Sequence, residues 1–370
     1  MGDSDGTKVA TPVGACHARG RGGALTRVGA GTHAPDAERY PTLNGQSMRH
    51  CATNMSGLAE PLRTRAGWAT IPLEATLALP PAAQIRVLRS LDLVAVNTDG
   101  RLLMEVAAKL MAVRGRARLI GIDILLPRPD GPVGRVRQHL ARHLLRRVQR
   151  FYLFQRDVVD LDRFYGIGPR CEYVPFKSNA WDRITRGDLV PTDAGYVLHA
   201  GRTHRDLRCF LAACRYQAVP TRLLLQAPKS LRQHGTANDV VAVPPWVEVV
   251  RDEDSRDSFE AHLAAARLVV VTVRPGTITP AGCGTLFDAM ALGKCTIISD
   301  GPATRGIIDS TCAVIVPPGD PVALGAAVRR FNTDHEARQQ IGAAARIRAQ
   351  LFRGADRLHA DLVKRILASQ

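Results

Sequence analysis

The sequence predicts an α/β protein with two Rossmann-like, doubly wound parallel-sheet domains facing across a cleft. Three observations carry this. Its 370 residues exceed what one ordinary core organises and suit two. From about residue 78 onward, short apolar runs alternate with stretches of helical periodicity, which implies parallel strands joined by covering helices. In the second half, two of these runs end in glycine-containing turns, where parallel sheets take their ligands.

Residues 1–77 carry little periodicity. Glycines at 20–23 and 29–31 punctuate Ala, Thr, Arg and His, so this segment is expected to be irregular or disordered. Met48 and Met55 fall late in it, and a start downstream of Met48 is one expectation. Residues 78–185 read as the first, acceptor-side domain, in reduced form because no convincing first strand with a glycine-rich loop is visible. The run at 91–97 predicts a strand, followed by a helix through Val113 with Leu102, Val106 and Leu110 at helical spacing. Residues 118–126 predict a second strand, 136–150 a basic amphipathic helix, and 151–154 and 173–176 two further strands.

A linker is expected at 182–193, with residues 186–370 forming the second, donor-side domain. Strands are predicted at 196–200, 221–226, 247–250, 268–273, 295–299 and 313–316, and helices at 206–216, 255–267 and 285–292. Asp320 reads as an N-cap followed by Pro321 at the first helical position, and Thr333 with Glu336 as a capping box for the next helix.

The formal net charge is +16, and only six of the 50 basic residues are lysines. This favours an anionic partner, such as a phosphate-bearing donor, nucleic acid or an acidic membrane surface; a composition-wide arginine bias is the plainer reading. Aromatics make up only 5%, and none interleave with the arginines as base-stacking would require, so nucleic-acid binding is a remote alternative. The eight cysteines include no C-x-x-C pair and match no zinc spacing, so no metal site is expected. With no signal peptide and no apolar run of about 18 residues, the expectation is a reduced, cytoplasmic protein.

Two segments carry the chemistry. The first is His199-Ala200-Gly201-Arg202-Thr203-His204-Arg205-Asp206. Here Gly201 allows close backbone approach after a strand, and Arg202 and Arg205 suit a diphosphate; the plain reading is a strand–turn–helix corner with solvated arginines. The second runs from Thr277 to Lys294 and places Gly282, Cys283, Gly284 and Thr285 at a helix start, whose N–H groups suit donor phosphate or sugar. Asp288 reads either as a ribose ligand or as the partner of Thr285 in a capping box. His204, beside the diphosphate candidates, is the one histidine worth considering as catalytic, and Asp123 reads as a strand-end residue facing the cleft or as a cap.

Together these segments resemble glycosyltransferase family four and its GT-B relatives, over roughly residues 195–350. The resemblance rests on Gly201-Arg202, on Asp288-Ala289-Met290-Ala291-Leu292-Gly293-Lys294-Cys295-Thr296-Ile297-Ile298, on Gly301-Pro302 and on Val316-Pro317-Pro318-Gly319-Asp320-Pro321. A weaker likeness at Tyr173-Val174-Pro175-Phe176-Lys177 covers the segment that closes the first domain. The resemblance implies Arg202 and Arg205 on the donor diphosphate and Asp288 at the family's second, ribose-binding carboxylate. The first carboxylate of that motif falls at Pro280 and is missing, and no single catalytic residue is assigned. The activity it implies is transfer of a sugar from a nucleotide-sugar donor to a hydroxyl-bearing acceptor, with retention and without a cofactor or required metal. A catalytically degenerate relative and a nucleotide-sugar epimerase are the alternatives. The basic helix carries Arg135, Arg137, Arg142, Arg146, Arg147 and Arg150. It reads either as a solvated surface helix or as a peripheral dock on the inner, anionic face of a membrane.

Overall fold

The computed structural model describes residues 48–215, 218–237, 243–251 and 255–369. The expectations for residues 1–47 lie outside it. Twelve strands form two sheets, each of six strands and each parallel throughout. The first contains β1 (His50–Thr53), β2 (Ala69–Pro72), β3 (Leu93–Asp99), β4 (Arg118–Leu125), β5 (Arg150–Leu153) and β6 (Cys171–Tyr173) in the order β2-β1-β3-β4-β5-β6. The second contains β7 (Val197–His199), β8 (Thr221–Leu225), β9 (Val247–Arg251), β10 (Leu268–Val271), β11 (Thr296–Ser299) and β12 (Val314–Val316) in the order β12-β11-β10-β7-β8-β9. Both orders reverse direction once, between β1 and β3 and between β7 and β10, which opens a crevice at the carboxyl ends of those strands.

The strands read as apolar runs because helices cover both faces. All four residues of β10 (Leu-Val-Val-Val) are buried, as are the first four of β3. The domain boundary at 78 is corrected by β1 and β2. β1 is the short run His-Cys-Ala-Thr, and its last three residues are all buried, which leaves no alternation to read. The other end of the chain is corrected as well. Helix Ala355–Ala368 returns to the first domain, where Leu358, Leu362, Val363 and Ile366 pack with Leu58, Leu62 and Trp68.

Three local expectations also change. The basic helix spans Gly131–Leu145, so Arg150 opens β5 and Arg147 turns inward to the carbonyls of Gly115 and Ala117 at 3.1 and 2.6 Å. The expected linker contains helix Trp181–Arg186. Thr333 ends helix Pro321–Thr333 and donates back to the Arg329 carbonyl, while Asp334 caps the next helix through the Ala337 N–H.

The chain passes between the domains twice, near residues 174–180 and 352–355, and the two passages touch. The Ser178 N–H donates to the Phe352 carbonyl at 2.6 Å. Phe352 stacks on Phe287 with centroids 3.9 Å apart, and Phe154 and Phe176 continue the aromatic line into the first domain at 4.5 Å. The described residues belong to one compact unit.

Candidate functional site

The crevice of the second sheet is built by two glycine turns. After β7, Gly201 has φ +101, and a Cβ there would fall 2.1 Å from Nη2 of Arg205. A side chain is therefore excluded both by conformation and by the arginine folded beneath it. Arg205 is only 3% exposed and donates to the carbonyls of Ala200 at 3.0 Å and Thr203 at 2.9 Å, and to Thr285 Oγ1 at 3.2 Å. Burial pulls its pKa down to about 10, which leaves it charged at neutral pH. After β10, Gly282 has φ +98 and begins helix Cys283–Ala291. Arg205 therefore ties the two glycine turns together across the switch point.

These turns line a cavity of about 460 Å3. Its walls include Gly201, Arg202, Arg205 and Gly282 to Thr285 from the second domain, and Thr98, Asp123 and Leu125 from the first. First-turn amides of helix Cys283–Ala291 have no intrahelical acceptor, so the positive helix end and two guanidinium groups share one space. Arg202 is exposed and Arg205 buried. Cys283 also faces this space, and burial raises its thiol pKa far above neutrality, so it remains uncharged.

Sequence reasoning placed Arg202, Arg205, Gly201, Gly282, Cys283, Gly284, Thr285 and Asp288 together, and all eight line the cavity. Two expected roles change. The helix starts at Cys283, so Thr285 lies inside it and forms no capping box with Asp288. Asp288 is 0% exposed, and its oxygens are engaged by the protein. Oδ1 accepts from Ser178 Oγ at 2.9 Å and from the N–H groups of Asn179 at 2.6 Å and Ala180 at 3.0 Å. Oδ2 accepts from Arg256 at 3.0 Å. Such a carboxylate presents no oxygen to a ribose; it clamps the interdomain passage and holds Arg256 in the cavity wall.

Arg256 was not legible in advance. It follows the N-cap Ser255 and pairs with both Asp288 and the buried Glu260, contacts that only the fold creates. His204 does not line the cavity; its ring packs against Gly235, whose Cβ would lie 2.5 Å from His204 Cε1. His199 is buried with Nε2 2.8 Å from Thr272 Oγ1, and burial and then Arg205 hold its pKa down at about 3, so it is neutral. Among the described residues, no group of three His, Cys, Asp or Glu side chains could hold a metal ion.

No protein-family model matches the sequence, and no curated protein does. Solved structures do match. HepE from Anabaena, in complex with UDP-glucose, superposes with a TM-score of 0.60 at 15% identity, covering 87% of this chain and 100% of that one. Sucrose-phosphate synthase from Thermosynechococcus elongatus superposes at 0.58 with 17% identity over 83% of each chain. A glycosyltransferase from Rickettsia africae superposes at 0.58 with 11% identity, over 87% of this chain and 91% of that one. The fold is GT-B. At these identities the likeness speaks for the architecture, and it covers both sheets. In GT-B terms, the cavity at the β7/β10 switch point lies in the interdomain cleft and takes walls from both domains.

Proposed function

We propose that this GT-B protein is a glycosyltransferase that moves a sugar from a nucleotide-sugar donor to a hydroxyl-bearing acceptor, with retention at the anomeric carbon. One observation carries the reading: Arg205, buried and charged, bridges the Gly201 turn to the start of helix Cys283–Ala291 beside a cavity open to both domains. Departure of a nucleoside diphosphate needs fixed positive charge at its oxygens, and preorganised donors supply it without reorganisation. Arg202 at the rim, Arg205 below and the amides of Gly282, Cys283, Gly284 and Thr285 serve that purpose. Asp288 contributes by anchoring Arg256, and the ribose lies against the wall they form. HepE was crystallised with UDP-glucose, which makes UDP-sugars the first donors to try.

The acceptor enters from the first domain, and the exposed basic helix Gly131–Leu145 of that domain rests on an anionic membrane surface. Among the described residues, no helix is long and apolar enough to cross a membrane. A thermal-shift screen over UDP-, GDP-, ADP- and TDP-sugars tests the donor assignment, since a ligand that binds only the native state raises apparent stability. A shift that Arg202→Ala diminishes supports it. No shift with any nucleotide sugar at millimolar concentration sinks it.

A further inference from the structure

Strands β3 and β4 lose register at one level. Asn97 pairs with Ile122, but the next pair is Asp99 with Leu125, so Thr98 of β3 faces both Asp123 and Ile124 of β4. Thr98 and Asp123 both have left-handed backbone, with φ of 65° and 47°. Among the described residues only four non-glycine positions have positive φ, and two of them meet at this bulge. Such strained backbone collects where a side chain must be re-aimed. Both residues line the cleft cavity. Asp123 and Asp288 are the two carboxyl-bearing residues of that lining, and Asp288 is occupied by Arg256 and by donors of residues 178–180.

We propose that Asp123 is the group that takes the proton from the attacking hydroxyl, with Thr98 beside it orienting that hydroxyl. This rests on the glycosyl-transfer reading. In the step, the acceptor oxygen forms a bond to the anomeric carbon. The bond from that carbon to the diphosphate oxygen breaks, and its electron pair leaves with the nucleoside diphosphate. The acceptor proton passes to the Asp123 carboxylate, and the acceptor attacks on the face that the diphosphate leaves, as the proposed retention requires. The surroundings of Asp123 suit a base. The Phe154 N–H bonds to it from the end of β5, the uncharged Cys283 thiol faces it from helix Cys283–Ala291, and Arg202, Arg205, Arg256 and His234 line the remaining cavity. Burial pushes its pKa up to about 8, near the operating pH, where a base combines availability with proton affinity.

The test measures nucleoside diphosphate release from the donor found in the thermal-shift screen, with water as acceptor. Asp123→Asn should lower the rate by about 100-fold or more while donor affinity stays within about threefold. Asp123→Ala should be partly rescued by added formate, which a merely structural carboxylate would not allow. The wild-type rate should rise with pH through about 8, and that limb should vanish in Asp123→Asn. A variant rate within about threefold of wild type overturns the proposal. So does a wild-type profile that stays flat through that pH range, which requires no variant to fold. Wild type that binds donor but releases nothing at any pH overturns it too. Failure of every nucleotide sugar to bind would instead strike the donor reading itself.

Discussion

Asp288 accepts the Asn179 backbone N–H at 2.6 Å, so a residue of the second domain fixes the segment by which the chain leaves the first. Two more donors from that segment and Arg256 complete its coordination. Removing the carboxylate strands three donors of that segment, while Arg256 keeps its pairing with Glu260. Asp288→Ala should lose about 3–5 kcal/mol of unfolding free energy, since each of three donors left without a partner costs about 1–3 kcal/mol. Urea denaturation reads this directly, and a loss below about 1 kcal/mol would show that the clamp is dispensable.

Gly201 has no room for a methyl group, because the Cβ would occupy the space of the Arg205 guanidinium. Gly201→Ala should therefore act through Arg205. Donor affinity should fall by at least about tenfold, equivalent to about 1.4 kcal/mol, as the cation is pushed from its three acceptors. Isothermal titration with the donor checks this. Arg202→Ala, at the exposed rim, should weaken binding without moving the melting temperature.

Much of this was visible in residue patterns, and the misses share a cause. The runs forming β3, β4, β7, β8, β10 and β11 were found within a few residues because all-apolar segments bounded by turns identify buried parallel strands. The positions around Gly201 and Gly282 were found because close backbone approach restricts them to glycine. β1 was missed because it is four residues long with a histidine and a cysteine, and its neighbours in space come from distant segments. The role of Asp288 was misread for the same reason: spacing indicates which helix a carboxylate sits on, but its partners at 178–180 lie more than 100 residues away. The paired bulge at Thr98 and Asp123 has no local signature, since threonine rarely adopts positive φ and aspartate does so only occasionally.

His199 is buried and neutral, held near pKa 3 against an ordinary value of 6.5. The unfolded chain binds a proton there at a pH where the native protein does not. Stability should therefore be unaffected above about pH 6.5 and fall as pH drops from there toward about 3, by up to about 1.4 kcal/mol per pH unit. His199→Asn should flatten the acid limb by one proton. Denaturation midpoints between about pH 7 and 4 compare the two, and parallel curves would show that His199 titrates normally in the native state.

The basic helix Gly131–Leu145 leaves three aliphatic side chains in solvent: Val133 at 64%, Val136 at 71% and Leu140 at 60% exposure. Their spacing places them on one side, opposite the buried Ala141 and Leu145. Arg137 lies beside this stripe, Arg135 and Arg142 lie further round the helix, and no acidic residue occurs between Gly131 and Arg156. An exposed apolar stripe on a helix that carries only basic charges matches a bilayer of anionic headgroups, with each basic residue near the surface worth about 1 kcal/mol. The protein should therefore co-sediment with phosphatidylserine vesicles and much less with phosphatidylcholine ones. Replacing the three arginines by glutamate should weaken that binding by about 100-fold or more, with salt producing a graded version of the same effect. Val136→Asp should reduce binding to both lipids, because it removes the inserted surface rather than the attraction. Sedimentation indifferent to lipid charge would leave the helix a solvated cover for β4 and β5.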